Sequence, residues 1–105
     1  MSDSTHNLKI LVYDATLNYS KWAALSFTVA ADNSVTGSFE YIGATMVLTG
    51  KRNPPGEGSQ DNYELNGEDV RMRISAYPAF GGQFPVAGVA SINEAGPFYI
   101  IGKQS

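Results

Sequence analysis

The residue types that could perform acid–base or nucleophilic chemistry are few and scattered in this chain. It has one histidine, His6, and no cysteine. Catalysis by a histidine needs the imidazole held beside a nucleophile or a reacting group. His6 stands in a polar N-terminal segment, which we expect to fray. The absence of cysteine excludes thiol catalysis, a disulfide scaffold and a cysteine-ligated zinc site.

Carboxylates are the remaining candidates for catalysis. Glycosidase chemistry needs two carboxylates that face one cleft, and nothing in the spacing pairs any two of the acids across a site. These acids are Glu40, Glu64, Glu68, Asp69 and Glu94. The glycine-rich stretch at 56–58 lacks the Lys and Ser/Thr of a phosphate-binding loop. We therefore predict that the protein is not an enzyme and uses no cofactor.

One acidic segment can be compared with a calcium-binding loop. Positions 1, 3, 5 and 6 of an EF-hand loop would be Asn62, Glu64, Asn66 and Gly67. Position 12, where the loop needs a bidentate acid, is Arg73. The dipeptide Asn66-Gly67 is instead a strong signal for a tight hairpin turn. We predict the turn and no metal site.

The aromatic segment 77–85 is the strongest candidate for a binding surface. It carries Tyr77, Phe80 and Phe84 around two adjacent glycines. Rigid aromatic side chains on such a loop can bury a large area against a partner. The alternative is that Phe80 and Phe84 turn inward and close one end of the core. We name Tyr77, Phe80 and Phe84 as the predicted binding residues and keep core closure as the alternative.

Alternating apolar and polar residues indicate the elements that would position these side chains. The pattern predicts seven strands, with a loop at 50–62 and a strand entry or short turn over 17–25. The predicted strands are 8–13, 25–29, 35–41, 44–49, 70–77, 86–92 and 98–102. With 105 residues and no sustained helical period, the chain predicts one all-β domain. We expect an antiparallel β-sandwich or small barrel of about seven strands over 8–105, preceded by a flexible tail over 1–7.

Charge and hydropathy restrict the partners. A net charge of −3 disfavours nucleic acid. The N-terminus lacks the basic and apolar regions of a signal peptide, and the uncharged stretch 74–93 is interrupted by prolines and glycines, which a membrane helix disfavours. We expect a cytoplasmic protein without a membrane partner.

Part of the chain resembles the avidin and streptavidin family. The stretch from Phe27 to Gly50 is similar to that family's second to fourth strands, with an acidic turn and a Val35-Thr36-Gly37 pattern, and part of 88–102 is similar to later strands. The resemblance implies a β-meander barrel. It implies no biotin site, because Phe39 and Tyr41 stand where the family has polar biotin contacts and the binding tryptophans have no counterparts.

These observations lead to two functional hypotheses. The first is a non-catalytic β domain that acts as an interaction or binding module for an unknown protein or small ligand, with a homo-oligomer left open. The alternative is a small-ligand-binding barrel, calycin- or lectin-like, that holds its ligand in the interior or at the mouth. A large polar-lined interior cavity would favour the second hypothesis, and a filled core with an exposed aromatic patch the first.

Overall fold

The fold is a closed antiparallel barrel of eight strands. It is seen in a computed structural model that describes residues 3–53, 61–77 and 83–105. The strands are β1 (Ser4–Tyr13), β2 (Ser20–Val29), β3 (Ser34–Tyr41), β4 (Ala44–Asn53), β5 (Asp61–Asn66), β6 (Val70–Ala76), β7 (Val86–Ile92) and β8 (Ala95–Gln104). Each strand pairs with the next along the chain, and β8 pairs with β1. The all-β prediction is confirmed, and the choice between sandwich and barrel is decided in favour of the barrel.

The one strand that the sequence pattern did not predict is β5, because the pattern did not separate it from its flanking turns. The predicted loop at 50–62 is shorter at both ends, since β4 continues to Asn53 and β5 begins at Asp61. Asp and Asn favour turns, and they conceal the alternation in which Asp61, Tyr63 and Leu65 are buried. The turn predicted at Asn66-Gly67 does join β5 to β6.

The prediction of a flexible tail over 1–7 does not hold for residues 4–7, because β1 begins at Ser4. Residues 4–7 pair with β2, and His6 lies opposite Phe27 in the register. Strand β2 is correspondingly longer than predicted and begins at Ser20. The polar composition of the N-terminus suggested fraying, but residues 4–7 continue the backbone pairing with β2, although β8 pairs only from Leu8 onward.

The interior of the barrel is filled by side chains. Phe27 and Phe39 are buried at 1% and 0% relative exposure, and the Phe27 ring packs against Tyr63 with centroids 4.9 Å apart. Phe39 stacks on Tyr41 at 5.4 Å. Glu40 is exposed on the opposite face of β3. The barrel therefore encloses a packed core, as an eight-stranded barrel of this size permits.

The turn between β3 and β4 contains an unfavourable residue. Ile42 and Gly43 form a two-residue turn with φ of 50° and 74°. The left-handed region costs an L-residue roughly 1–2 kcal/mol, and least for Asn. Ile42 is 64% exposed and gains little burial in return.

We therefore expect Ile42→Asn to stabilise the protein by about 1 kcal/mol, because Asn-Gly is the preferred sequence for this turn. The measurement is thermal melting, where about 1 kcal/mol corresponds to roughly 4–8 °C for a domain of this size. Ile42→Val, which keeps the β-branch, is the control and should melt like the parent. Equal melting temperatures for all three proteins would contradict the assignment of strain to this position.

Candidate functional site

The outer surface of four adjacent strands carries a continuous row of apolar side chains. The register places Trp22 beside Leu11, Leu11 beside Ile101, and Ile101 beside Ala87. These side chains point outward because their chain neighbours, such as Ile10 and Ile100, are buried. Trp22 is 61% exposed and Ile101 is 52% exposed. The row runs across β2, β1, β8 and β7.

A second row extends the apolar surface along the strands. Tyr13 pairs with Tyr99, and Tyr99 with Val89. The two tyrosine rings lie 5.8 Å apart, and Val89 is 40% exposed. We call the two rows together the outer apolar face; its members are Leu11, Tyr13, Trp22, Ala87, Val89, Tyr99 and Ile101.

Two lysines border the outer apolar face on the side away from the tyrosines. Lys9 and Lys103 lie directly opposite each other on β1 and β8. The Nζ atom of Lys9 lies 4.8 Å from the centroid of the Trp22 ring, within the range of a cation–π contact. Along the strands the surface therefore runs from cations, through aliphatic and indole groups, to tyrosines.

An open groove of about 840 Å³ lies over this surface. Its floor includes Leu11, Trp22 and Ile101, and its rim includes Tyr77 and Pro85. The backbone N–H of Tyr77 donates to the carbonyl of Pro85 at 2.9 Å, which joins the two ends of the β6–β7 connection. Exposed contiguous apolar surface with a polar border is typical of binding sites.

The three residues predicted to bind a partner have different positions. Tyr77 is half-buried and lines the groove. Phe84 is 7% exposed, and its ring stacks on His6 with centroids 4.0 Å apart. This position agrees with the alternative prediction, in which Phe84 turns inward and closes one end of the core. Phe84 is therefore not an exposed binding residue. Phe80 lies outside the described residues.

The outer apolar face was not among the binding surfaces predicted from the sequence. Its members come from four strands, and two of these strands, β1 and β8, lie at opposite ends of the chain. A signal was nevertheless present. In β1, Leu11 and Tyr13 lie on the side of the strand that faces away from the core, where alternation would place polar residues. Tyr99 and Ile101 have the same position in β8. Both strands are therefore apolar on both faces. A strand with one face in solvent would alternate more cleanly.

A second cluster lies at the barrel mouth, where β4 ends and β5 begins. Arg52 donates from Nη2 to Oδ1 of Asp61 at 2.8 Å and from Nη1 to Oδ1 of Asn33 at 3.1 Å. A cavity of about 400 Å³ is bordered by these residues together with His6 and Tyr63. Burial raises the pKa of Tyr63 to about 12, and the Asp61 carboxylate acts in the same direction. The main polar groups of the mouth thus bond to one another.

The position of His6 in the mouth favours the neutral form of its imidazole. Burial lowers the pKa of the imidazole, and the Asp61 carboxylate opposes this only in part. A folded-state pKa below the unfolded value means that the unfolded chain binds the proton more tightly. The stabilisation is complete above the unfolded pKa of about 6.5 and is lost progressively as the pH falls from that value through the lower folded-state pKa.

We therefore expect the free energy of unfolding to fall as the pH is lowered below about 6.5, above the range in which most carboxylates titrate. The measurement is urea denaturation at half-unit pH steps. His6→Phe retains a ring against Phe84 and should remove this part of the pH dependence. An identical profile for parent and variant would show that His6 is not the group responsible.

The described residues contain neither a cluster of metal-binding side chains nor a helix that could span a membrane. No group of three or more His, Cys, Asp or Glu side chains within 3–53, 61–77 and 83–105 is placed to hold a metal ion. The same ranges contain no helix with the length and apolar character needed to cross a membrane.

Comparison with protein-family models, curated proteins and solved structures finds no match for this chain.

Proposed function

We propose that this protein is a non-catalytic interaction module that binds another protein chain through the outer apolar face. The single observation that carries the proposal is the continuous row Trp22, Leu11, Ile101 and Ala87 on the solvent side of four paired strands. Aromatic residues in the centre of an apolar patch are the usual hot spots of protein interfaces.

The contrast with the opposite side of the barrel supports this proposal. There, Lys51, Glu64 and Arg73 lie side by side on β4, β5 and β6. Glu64 lies 3.6 Å from Lys51 and 3.8 Å from Arg73. Exposed ion pairs of this kind contribute little stability and keep a sheet face in water. The apolar character of the outer face is therefore a local feature, not a general property of the barrel surface.

The packed interior argues against the alternative of a ligand held inside the barrel. Phe27, Phe39 and Leu25 are almost completely buried, so an internal ligand would have to displace them. A ligand at the mouth would have to compete with the Arg52–Asp61 pair for its hydrogen bonds. Breaking a partly buried ion pair costs more than displacing water from an apolar face.

The position of His6 supports the non-catalytic part of the proposal. Its ring lies between Phe84 and Phe27, with centroids 4.0 Å and 5.3 Å away. Acid–base catalysis needs the imidazole nitrogens to reach a substrate. Although His6 borders the mouth cavity, its packing against two phenyl rings favours the neutral imidazole.

The proposal can be tested by selecting peptides from a random library displayed on phage against the immobilised protein. We expect the selected peptides to bind Trp22→Ser about 30-fold more weakly, which corresponds to a hot spot of about 2 kcal/mol. Trp22 is the only tryptophan, so a blue shift of its emission on peptide binding reports contact at this face.

The matched control is Val47→Ser, which removes an exposed aliphatic side chain from β4, away from the outer apolar face. Val47 is 73% exposed. It should bind the selected peptides like the parent. Peptides that bind Trp22→Ser with unchanged affinity, or a library that yields no binder, would contradict the proposed function.

A further inference from the structure

We infer that the partner is a second copy of this chain, packed face to face through the outer apolar face about a two-fold axis perpendicular to β1 and β8. The inference rests on the proposed function and specifies the partner. The axis lies in the plane of the interface, so the strands of the two copies run in opposite directions. Isologous contacts of this kind are the commonest arrangement in homo-oligomers.

The order of side chains along the strands carries this inference. Lys9 and Lys103 form the first row, Leu11 and Ile101 the second, and Tyr13 and Tyr99 the third. Each row therefore pairs a residue of β1 with one of similar chemistry on β8. The face has cations at one end, aromatic rings at the other and aliphatic groups between them.

A two-fold axis perpendicular to the strands reverses the order of these rows in the second copy. Lys9 then faces Tyr13 of the partner subunit, and Lys103 faces Tyr99 of the partner subunit. A lysine ammonium over a tyrosine ring is a favourable cation–π contact, and desolvation strengthens it. Leu11, Ile101 and Trp22 lie near the axis and meet apolar groups.

The other face-to-face arrangement is disfavoured by charge. An axis parallel to the strands keeps the rows in order and exchanges β1 with β8. Lys9 would then face Lys103 of the partner subunit, and no Asp or Glu side chain is among the described residues that line the groove. Like charges placed opposite each other across an interface disfavour association. The arrangement of cations and rings thus selects one axis.

The size of the face limits the area that a dimer can bury. Four strands spaced about 4.8 Å apart and five residues with a rise of about 3.4 Å cover at most roughly 19 Å by 17 Å, because the sheet curves around the closed barrel. This is smaller than the roughly 800 Å² per partner of a standard stable interface. We therefore expect a weak, transient dimer.

Charge reversal distinguishes the two axes because it changes the affinity in opposite directions. With the perpendicular axis, Lys103→Glu places a carboxylate against a tyrosine ring and should weaken dimerisation about tenfold. Tyr99→Glu places a carboxylate against Lys103 of the partner subunit and should strengthen it severalfold. With the parallel axis, Lys103→Glu would instead face Lys9 of the partner subunit and strengthen the dimer.

The experiment is sedimentation velocity of the whole chain from about 5 to 500 μM, with Trp22 emission recorded over the same range. Val47→Glu adds a charge away from the face and should leave dimerisation unchanged, and melting curves establish that each variant is folded. The inference is overturned by a monomer throughout this range, by equal dimerisation of all variants, or by strengthening with Lys103→Glu. A monomer whose selected peptides still depend on Trp22 would overturn this inference alone. A monomer whose peptides ignore Trp22 would overturn the proposed function as well.

Discussion

Phe39→Ala is expected to lower the free energy of unfolding by about 3–5 kcal/mol, the usual range for a buried phenylalanine. Phe39 has no exposed surface and stacks on Tyr41 with centroids 5.4 Å apart. The closed strands around it restrict collapse of the interior, so truncation leaves a cavity. The measurement is urea denaturation at constant pH.

Glu40→Ala is the matched control because it changes the next residue on the same strand. Glu40 is exposed, and its truncation should stay within about 0.5 kcal/mol of the parent. A midpoint for Phe39→Ala equal to that of Glu40→Ala would mean that the face of β3 is inverted. That result would contradict the barrel interior described above, because every inward residue of β3 shares its parity with Phe39.

Gly50→Ala is expected to cost about 3 kcal/mol or more, at the upper end of the usual cost of overpacking. A Cβ atom added to Gly50 would lie 1.7 Å from the carbonyl oxygen of Glu64 on the paired strand. The obstacle is backbone, so a side-chain rotation cannot relieve it. Gly50 and Leu65 are paired in the register and lie on the inward side of their strands. The Leu65 side chain therefore occupies the interior space beside Gly50.

Gly43→Ala separates crowding from backbone conformation. Gly43 has φ of 74°, and no heavy atom lies within 4 Å of its added Cβ among the atoms compared. We expect a loss of only about 1–2 kcal/mol there, from the left-handed backbone alone. Thermal melting of the two variants checks this order. A smaller loss for Gly50→Ala than for Gly43→Ala would show that β4 and β5 can separate at low cost.

Local pattern was sufficient for most of the strands and for the central hairpin. Alternation predicted 35–41 as a strand with Phe39 inward, and β3 runs over Ser34–Tyr41 with that orientation. It predicted 86–92, and β7 has these bounds. These predictions succeed because side chains of a strand alternate between two faces, one of which must leave water.

Predictions that depended on turn-forming residues were less accurate. The connection expected around 93–97 is a two-residue turn at Asn93-Glu94, and β8 begins at Ala95. Strand β5 was concealed for the same reason, since Asp61 begins it. Turn propensity is a local preference of a few tenths to about one kcal/mol, and pairing along a whole strand outweighs it.

The amino-acid sequence by itself determined that the chain forms antiparallel strands with an apolar interior, and which side of most strands faces that interior. The tertiary structure alone decided that β1 and β8 are neighbours, and this pairing assembles Leu11, Trp22 and Ile101 into one surface. It also decided that Phe84 closes the core against His6. Alternation of apolar and polar residues is a property of each strand alone. Closure of the barrel instead joins residues that are almost a chain length apart. No local pattern specifies which distant strand will pair with the free backbone groups of an edge strand.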